Sequence, residues 1–270
     1  MEHELGSITP SRCADMIMFD DLNEIHVTRT IIDGEVVAEN GKFIADLEPA
    51  AFPSNVFNTM HVGKKITPDE FIIKAPAEKV NNGKITTRII ESVQNKVWTN
   101  EIFAELDVND GIVSAPKDSE ILKMAVFERH HETGSSGLGF VTGFGKLKGA
   151  MAQTISHDAH NLLVAGTDDN DMALAANTLI ECGGGLCAVL DGKVLAVLPL
   201  PIAGLMSDKP VEDVAEQLKK IGEAWKELGC EINSPYMTMA LVPLACIPAV
   251  RLTNRGLVDC RTYQFTDLFI

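Results

Sequence analysis

Asp168-Asp-Asn-Asp-Met-Ala-Leu-Ala-Ala-Asn-Thr-Leu-Ile-Glu-Cys-Gly-Gly-Gly185, continued by Leu186-Cys-Ala-Val-Leu-Asp-Gly-Lys-Val-Leu-Ala-Val-Leu198, decides the fold class. The run from Met172 to Ile180 predicts a helix whose acidic start complements the positive end of the helix dipole. The glycines Gly183 to Gly185 stop it, since glycine readily takes the left-handed backbone that ends a helix. Leu186 to Leu190 and Val194 to Leu198 flank Asp191-Gly192, the signal for a tight β-hairpin. Further along, Ser207-Asp208, Pro210 and the run from Val211 to Leu228 predict a long amphipathic helix closed by Gly229. Upstream, Phe71-Ile-Ile-Lys-Ala75, Ile85-Thr-Thr-Arg-Ile-Ile90 and Lys123-Met-Ala-Val-Phe127 are strand-like runs rich in β-branched and apolar residues. The expected class is therefore α+β, or mixed α/β, with a sheet covered by at least two helices.

The first fifty residues differ in character. Asp15-Met-Ile-Met-Phe19, Ile25-His-Val-Thr-Arg-Thr-Ile-Ile32 and Glu35-Val-Val-Ala38 read as three short strands, the last two joined by a turn at Asp33-Gly34. Three such strands cannot enclose a core. Pro49 and Pro53 punctuate a polar connector through Asn58, which places the expected boundary between residues 1–58 and residues 59–270.

Composition sets outer limits. The formal charge of −15 argues against a nucleic-acid backbone or an anionic membrane surface as partner, and is compatible with a small neutral ligand. Cys13, Cys182, Cys187, Cys230, Cys246 and Cys260 follow no repeating interval and read as reduced thiols in a cytoplasmic protein. Met1-Glu-His-Glu-Leu-Gly6 carries neither a basic nor an apolar export region. Met237 to Val250, broken by Pro243 and Pro248, is too short to span a bilayer.

Four of the seven histidines fall between His130 and His160. Imidazole is the side chain best suited to proton transfer and metal ligation near neutral pH. Glu128-Arg-His-His131 follows a strand, and Ser156-His-Asp-Ala-His-Asn161 lies between the apolar runs Ala150 to Ile155 and Leu162 to Ala165. One reading makes His157 and His160 ligand-facing groups, with Asp158 able to orient an imidazole. The other makes Ser156, Asp158 and Asn161 local turn formers and the histidines satisfied core or interface residues. Glu128 has a similar pair of readings, as a ligand-facing group or as an ion-pair partner of Arg129 or of a neighbouring strand. The chain has no His-x-His, His-Glu-x-x-His or Cys-x-x-Cys, so a metal site would need His130 or His131 and Glu128 to join the loop. Between the two segments, the glycines from Gly134 to Gly149 match no phosphate-binding pattern and read as tight turns and close sheet packing.

Several segments carry a resemblance. Gly6-Ser-Ile-Thr-Pro-Ser-Arg-Cys-Ala-Asp15 and the apolar residues after it resemble the element that follows the catalytic barrel in amidohydrolase-superfamily enzymes, with Ser11 where that pattern usually has glycine. Glu128 to His131, Gly137-Leu-Gly-Phe-Val141, Ser156 to Asn161, Gly166-Thr-Asp-Asp-Asn-Asp-Met172, Gly183 to Gly185 and Leu198-Pro-Leu-Pro-Ile-Ala-Gly-Leu-Met-Ser-Asp208 resemble the carboxyl-terminal domain of the bacterial adenine deaminase family. The resemblance implies a small β-sandwich remnant over residues 1–58 and a sheet-and-helix domain over 59–270. It also implies hydrolysis of adenine to hypoxanthine and ammonia, with a divalent metal (manganese, iron or zinc) held by a TIM-type barrel.

Such a barrel needs about 200 residues or more, and it is not found in this chain. The expected partners are thus adenine together with a separately encoded barrel subunit or further copies of the chain, with the strands from Asp15 to Val37 left showing an unpaired edge and an apolar face. Within that scheme no residue here is assigned to catalysis, to a cofactor or to a metal. His157, Asp158, His160, His130, His131 and Glu128 are the candidates for supporting or closing over the purine site. The alternative is a non-catalytic binding or oligomerisation module derived from the same family.

Overall fold

A computed structural model describes residues 3–46, 51–116 and 118–270, so Pro49 of the expected connector lies outside the described residues. The chain forms two compact units, Met1–Phe52 and Pro53–Ile270.

In the first unit, β1 (Met16–Phe19), β2 (Val27–Ile32), β3 (Glu35–Glu39) and β4 (Lys42–Phe43) make one antiparallel sheet in that order. Asp33 and Gly34 both have positive φ, as the twist of a two-residue hairpin requires. None of the unit's described residues is buried, and Ile17, Met18, Ile32, Val36 and Phe43 are exposed. These strands are held by backbone ladders and by local contacts such as the Arg29 to Glu39 hydrogen bond of 2.7 Å.

The second unit is α+β. Its nine-stranded sheet contains β5 (Lys84–Ser92), β6 (Thr99–Asn109), β7 (Ile112–Ser114), β8 (Leu122–Phe127), β9 (Ser136–Thr142), β10 (Ala150–Gln153), β11 (Leu162–Gly166), β12 (Gly185–Leu190) and β13 (Lys193–Pro199). The spatial order is β13-β12-β10-β11-β8-β9-β5-β6-β7, and only β5 and β9 pair in parallel. The central strands β10 and β11 are buried on both faces, which is why they read as unbroken apolar runs instead of alternating. Leu162 and Val164 pack toward helix α1 (Asp169–Cys182) with Met172, Ala176 and Leu179. Their neighbours Leu163 and Ala165 face the opposite layer, with Ile221 and Trp225 of helix α2 (Val211–Glu227). A third cluster, Ile85, Ile89, Leu106, Val113 and Phe140, closes the other end of the sheet.

Local signals account for the helix boundaries. Asp168 caps α1 by accepting from the Asn170 and Asp171 amides, and Gly183 ends it at φ 85°. Asp171 does more than complement the dipole: its buried carboxylate accepts from the amides of Asp191 and Gly192 at 3.0 and 2.7 Å, fastening the helix start to the hairpin turn. Helix α2 begins from Pro210 without a side-chain cap, and Ser207 instead accepts from the Lys209 amide in the turn before it.

Phe71 to Ala75, expected as a strand, is not one. Pro68 opens a 3-10 turn over Pro68–Phe71, the Phe71 ring packs edge-on against Phe127 at 5.6 Å, and Lys74 makes only an isolated bridge to Ile112. After the short helix α3 (Pro235–Ala240), a separate sheet forms from β14 (Val250–Thr253), β15 (Gly256–Asp259) and β16 (Gln264–Thr266). It lies close against β9, where a side chain on Gly137 would put its Cβ 1.9 Å from the Thr253 carbonyl oxygen. The glycine-rich run is therefore a packing device at this position.

Candidate functional site

Antiparallel pairing determines which loops can meet. Leu162 lies opposite Phe127, Gln153 opposite Leu163 and Leu186, and Gly185 opposite Pro199. The end of β8, the β10–β11 connection, the start of β12 and the end of β13 consequently gather at one end of the sheet. The two histidine segments are brought together there. His130 Nε2 is 2.7 Å from the Ala159 carbonyl, and the His157 and His160 rings meet edge to face with centroids 5.5 Å apart.

Arg129 sits beneath them at 1% exposure. Its guanidinium donates to the carbonyls of His160, of Thr59 at 3.2 Å and of Ala203 at 3.0 Å, so one side chain fastens three loops. Burial pulls its pKa down to about 10, with the Glu128 carboxylate opposing the shift. Space for the guanidinium comes from Gly204, where a Cβ would lie 2.8–2.9 Å from its nitrogens and carbon. Thr154 adds a second knot: its hydroxyl donates to Gly204 O at 2.6 Å and accepts from the Gly185 amide at 2.8 Å.

Glu128 is not ion-paired with Arg129 among the described residues. Just past the end of β8, the Glu128 carboxylate folds back on its own loop. It accepts from the amides of His130, His131 and Thr133 and from the Thr133 hydroxyl at 3.0 Å. Burial pushes its pKa up, but these donors outweigh it and hold the carboxyl below its ordinary range.

The remaining candidates separate by exposure. His130, His131 and Asp158 are exposed, and neither His157 nor His160 is hydrogen-bonded to Asp158 among the described residues. His160 is partly buried in a left-handed conformation, and its Nδ1 is buried without a partner. Burial lowers its pKa, the neighbouring His157, Arg129 and His130 lower it further, and Asp158 opposes them. The imidazole is thus held toward its neutral form, which can accept one hydrogen bond and donate one.

Beside this loop lies a cleft of about 450 Å³, lined by Ser156, His157 and Asn161 of the loop and by Asn254, Arg255 and Phe265 of the three-stranded sheet and its turn. Ser156 Oγ and Asn161 Oδ1 are buried with no partner. Ser156 and Asn161 were legible as polar members of the loop. Asn254, Arg255 and Phe265 were not anticipated; a hairpin turn at Asn254-Arg255 between two apolar runs was the only local signal, and it says nothing of the neighbour 93 residues away. As for metal ligation, no three His, Cys, Asp or Glu side chains converge among the described residues. Adjacency of the strands was satisfied, but Glu128 spends its oxygens on its own loop, so this donor set does not fit a divalent ion.

Residues 96–264 match the family described as "Adenine deaminase C-terminal domain". Proteins named adenine deaminase from Clostridium botulinum (strain ATCC 19397 / Type A), Moorella thermoacetica and Roseobacter denitrificans are 57%, 48% and 42% identical to it over 270, 265 and 266 residues. These alignments cover 100%, 98% and 98% of the chain but 44% of each relative, so the chain spans less than half the length of the curated relatives it matches.

Proposed function

This chain belongs to the family of adenine deaminase carboxyl-terminal domains, and from that premise we propose that it works as the accompanying domain of an enzyme that hydrolyses adenine to hypoxanthine and ammonia. The catalytic barrel is assigned to the part of the relatives that these residues do not cover, whether joined to this chain or encoded separately. The family implies a divalent metal, manganese, iron or zinc, and its ligands are assigned to that barrel because the donors here do not fit one. The reading rests on one observation: the histidine loops converge at one end of the sheet on a buried arginine that holds their backbone, an arrangement suited to positioning groups over a neighbouring site. In this assignment His157, Asp158 and His160 close over the purine site, His130 and His131 edge it, and Glu128 shapes their loop. The division into an amidohydrolase-type β element through residue 58 and the larger domain from 59 is part of the same proposal.

Ammonia release from adenine tests it. The chain alone should release none with manganese, iron or zinc supplied, and co-expression with a barrel-bearing chain should restore release. Turnover by the isolated chain would overturn the assignment. The exposed Ile17, Met18, Ile32 and Phe43 of the small sheet favour a second reading, an oligomerisation module. Light scattering decides that one, since a dilute monomer of the chain alone would count against it.

A further inference from the structure

The loop between β10 and β11 is gripped at its start by the Ala240 carbonyl, which accepts from the His157 amide at 2.9 Å, and in its middle by Arg129 and His130 through the carbonyls of His160 and Ala159. A third element holds its end. The turn between β14 and β15 is seated on β9 at Gly137, whose missing side chain leaves room for the Thr253 carbonyl and the Gly256 amide. Thr253 Oγ1 braces that turn from within, donating to the Gly256 carbonyl at 2.9 Å and accepting from the Arg255 amide at 3.1 Å. From this seat the Asn254 amide bridges two loops: its Nδ2 donates to Ser135 Oγ at 2.8 Å, and its Oδ1 accepts from Asn161 Nδ2 at 3.3 Å. Which way round the amide lies follows from its neighbours. The Glu128 carboxylate, held ionised by its donors, can only accept, so the Thr133 hydroxyl at 3.0 Å donates to it. With that hydrogen committed, the Ser135 hydroxyl, 3.1 Å from Thr133 Oγ1, is the donor between those two, and Ser135 Oγ is left to accept from Asn254.

We propose that Asn254 is a positioning residue: through this one amide the three-stranded sheet fixes where the loop carrying His157 and His160 stands. Asn161 is only 4% exposed, and Asn254 Oδ1 is the one acceptor that its Nδ2 has among the described residues. Losing it would leave a buried donor unpaired, which costs more than an ordinary hydrogen bond contributes, so the loop end would move to find another partner. Asn254 can keep that oxygen turned toward Asn161 because Ser135, set by Thr133 and Glu128, offers a lone pair and no hydrogen to the other end of the amide. That the loop serves a purine site rests on the deaminase reading; that Asn254 holds the loop rests on the relay alone.

NMR of the intact 270-residue chain, without adenine or metal, tests this. In the wild type the Asn254 Nδ2 protons should cross-relax with Ser135; an amide turned the other way, with those protons against Asn161, overturns the relay and needs no variant to show it. Asn254→Asp keeps the acceptor for Asn161 but sets a second acceptor against Ser135, whose hydrogen is committed to Thr133. It should lower the folding equilibrium constant about tenfold, roughly the effect of one lost hydrogen bond. The ring-nitrogen signals of His157 and His160 should shift, while the Trp225 indole, which donates to the Cys187 carbonyl in the core, stays. Histidine signals that stay as well overturn the positioning role. Thr133→Val releases the Ser135 hydrogen, so in that background Asn254→Asp should cost less than about threefold and leave the histidine signals in place. Its added charge is the same in both backgrounds, so an equal cost and an equal shift in the two would show a charge effect and overturn the relay. With a barrel-bearing chain supplied, ammonia release should fall with Asn254→Asp and recover with Thr133→Val added. Absent histidine shifts sink the positioning role, whereas absent release by the wild-type pair sinks the deaminase reading alone.

Discussion

The four-stranded sheet of the first unit and the nine-stranded sheet of the second are built from similar strand material, yet one has no buried side chain among its described residues and the central strands of the other are buried on both faces. In β2 and β3 the apolar residues stay exposed or half-buried, even the consecutive Ile31-Ile32 and Val36-Val37-Ala38, whereas in β10 and β11 every residue is buried. What separates them is the presence of a covering layer. Helices α1 and α2 lie over opposite faces of the large sheet, and the small sheet has no helix among the described residues of its own unit. Strand pairing alone is a weak source of stability; burial of the side chains between layers is the large term.

Core truncation should expose this contrast most sharply. Leu163→Ala, in the layer facing α2, should lower stability by about 2–5 kcal/mol, whereas Ile17→Ala in the small sheet should change it by less than about 0.5 kcal/mol. Urea titration of each variant measures both, and a comparable loss at Ile17 would show that the small sheet is covered in solution. Arg129→Met comes next. It leaves three carbonyls from three loops without their donor, and about 3 kcal/mol should be lost in the larger unit. Hydrogen exchange should show the loss of protection concentrated in residues 54–63, 154–161 and 200–206.

A smaller effect belongs to the start of α1. Asp168→Ala removes the acceptor for two amides and should cost about 1 kcal/mol, read as a lowered urea midpoint with an unchanged slope. The last prediction concerns pH. Glu128 has its folded-state pKa below the ordinary 4.5, so its contribution is present above that value and lost as the pH falls through the depressed one. Glu128→Gln should therefore flatten the acid limb of the stability profile, while an unchanged limb would remove Glu128 as a source of acid sensitivity.

Much of the scaffold was legible. Asp168 and Gly183 bound α1 because capping and left-handed chain reversal are local events, and Asp191-Gly192 turns β12 into β13 for the same reason. The long strand β6, Thr99-Asn-Glu-Ile-Phe-Ala-Glu-Leu-Asp-Val-Asn109, escaped notice because Phe103 and the acidic residues around it obscure its alternation. Phe71 to Ala75 had strand composition but no strand neighbour beyond the isolated bridge at Lys74. At the candidate site, residue types and loop positions could be read, but partners could not. Glu128 was weighed as a ligand-facing group or an ion-pair partner and is a loop acceptor instead.

Helix and hairpin positions, the covered-sheet class and the family itself were determined by the sequence alone, because each rests on residues a few positions apart or on motifs in order. Only the tertiary structure decided that Arg129 binds carbonyls at Thr59, His160 and Ala203, and that Glu128, Thr133, Ser135, Asn254 and Asn161 form one directed chain of hydrogen bonds. The direction of that chain depends on a carboxylate at one end and on strand pairings that carry residues 161 and 254 together, and no local pattern encodes such a meeting.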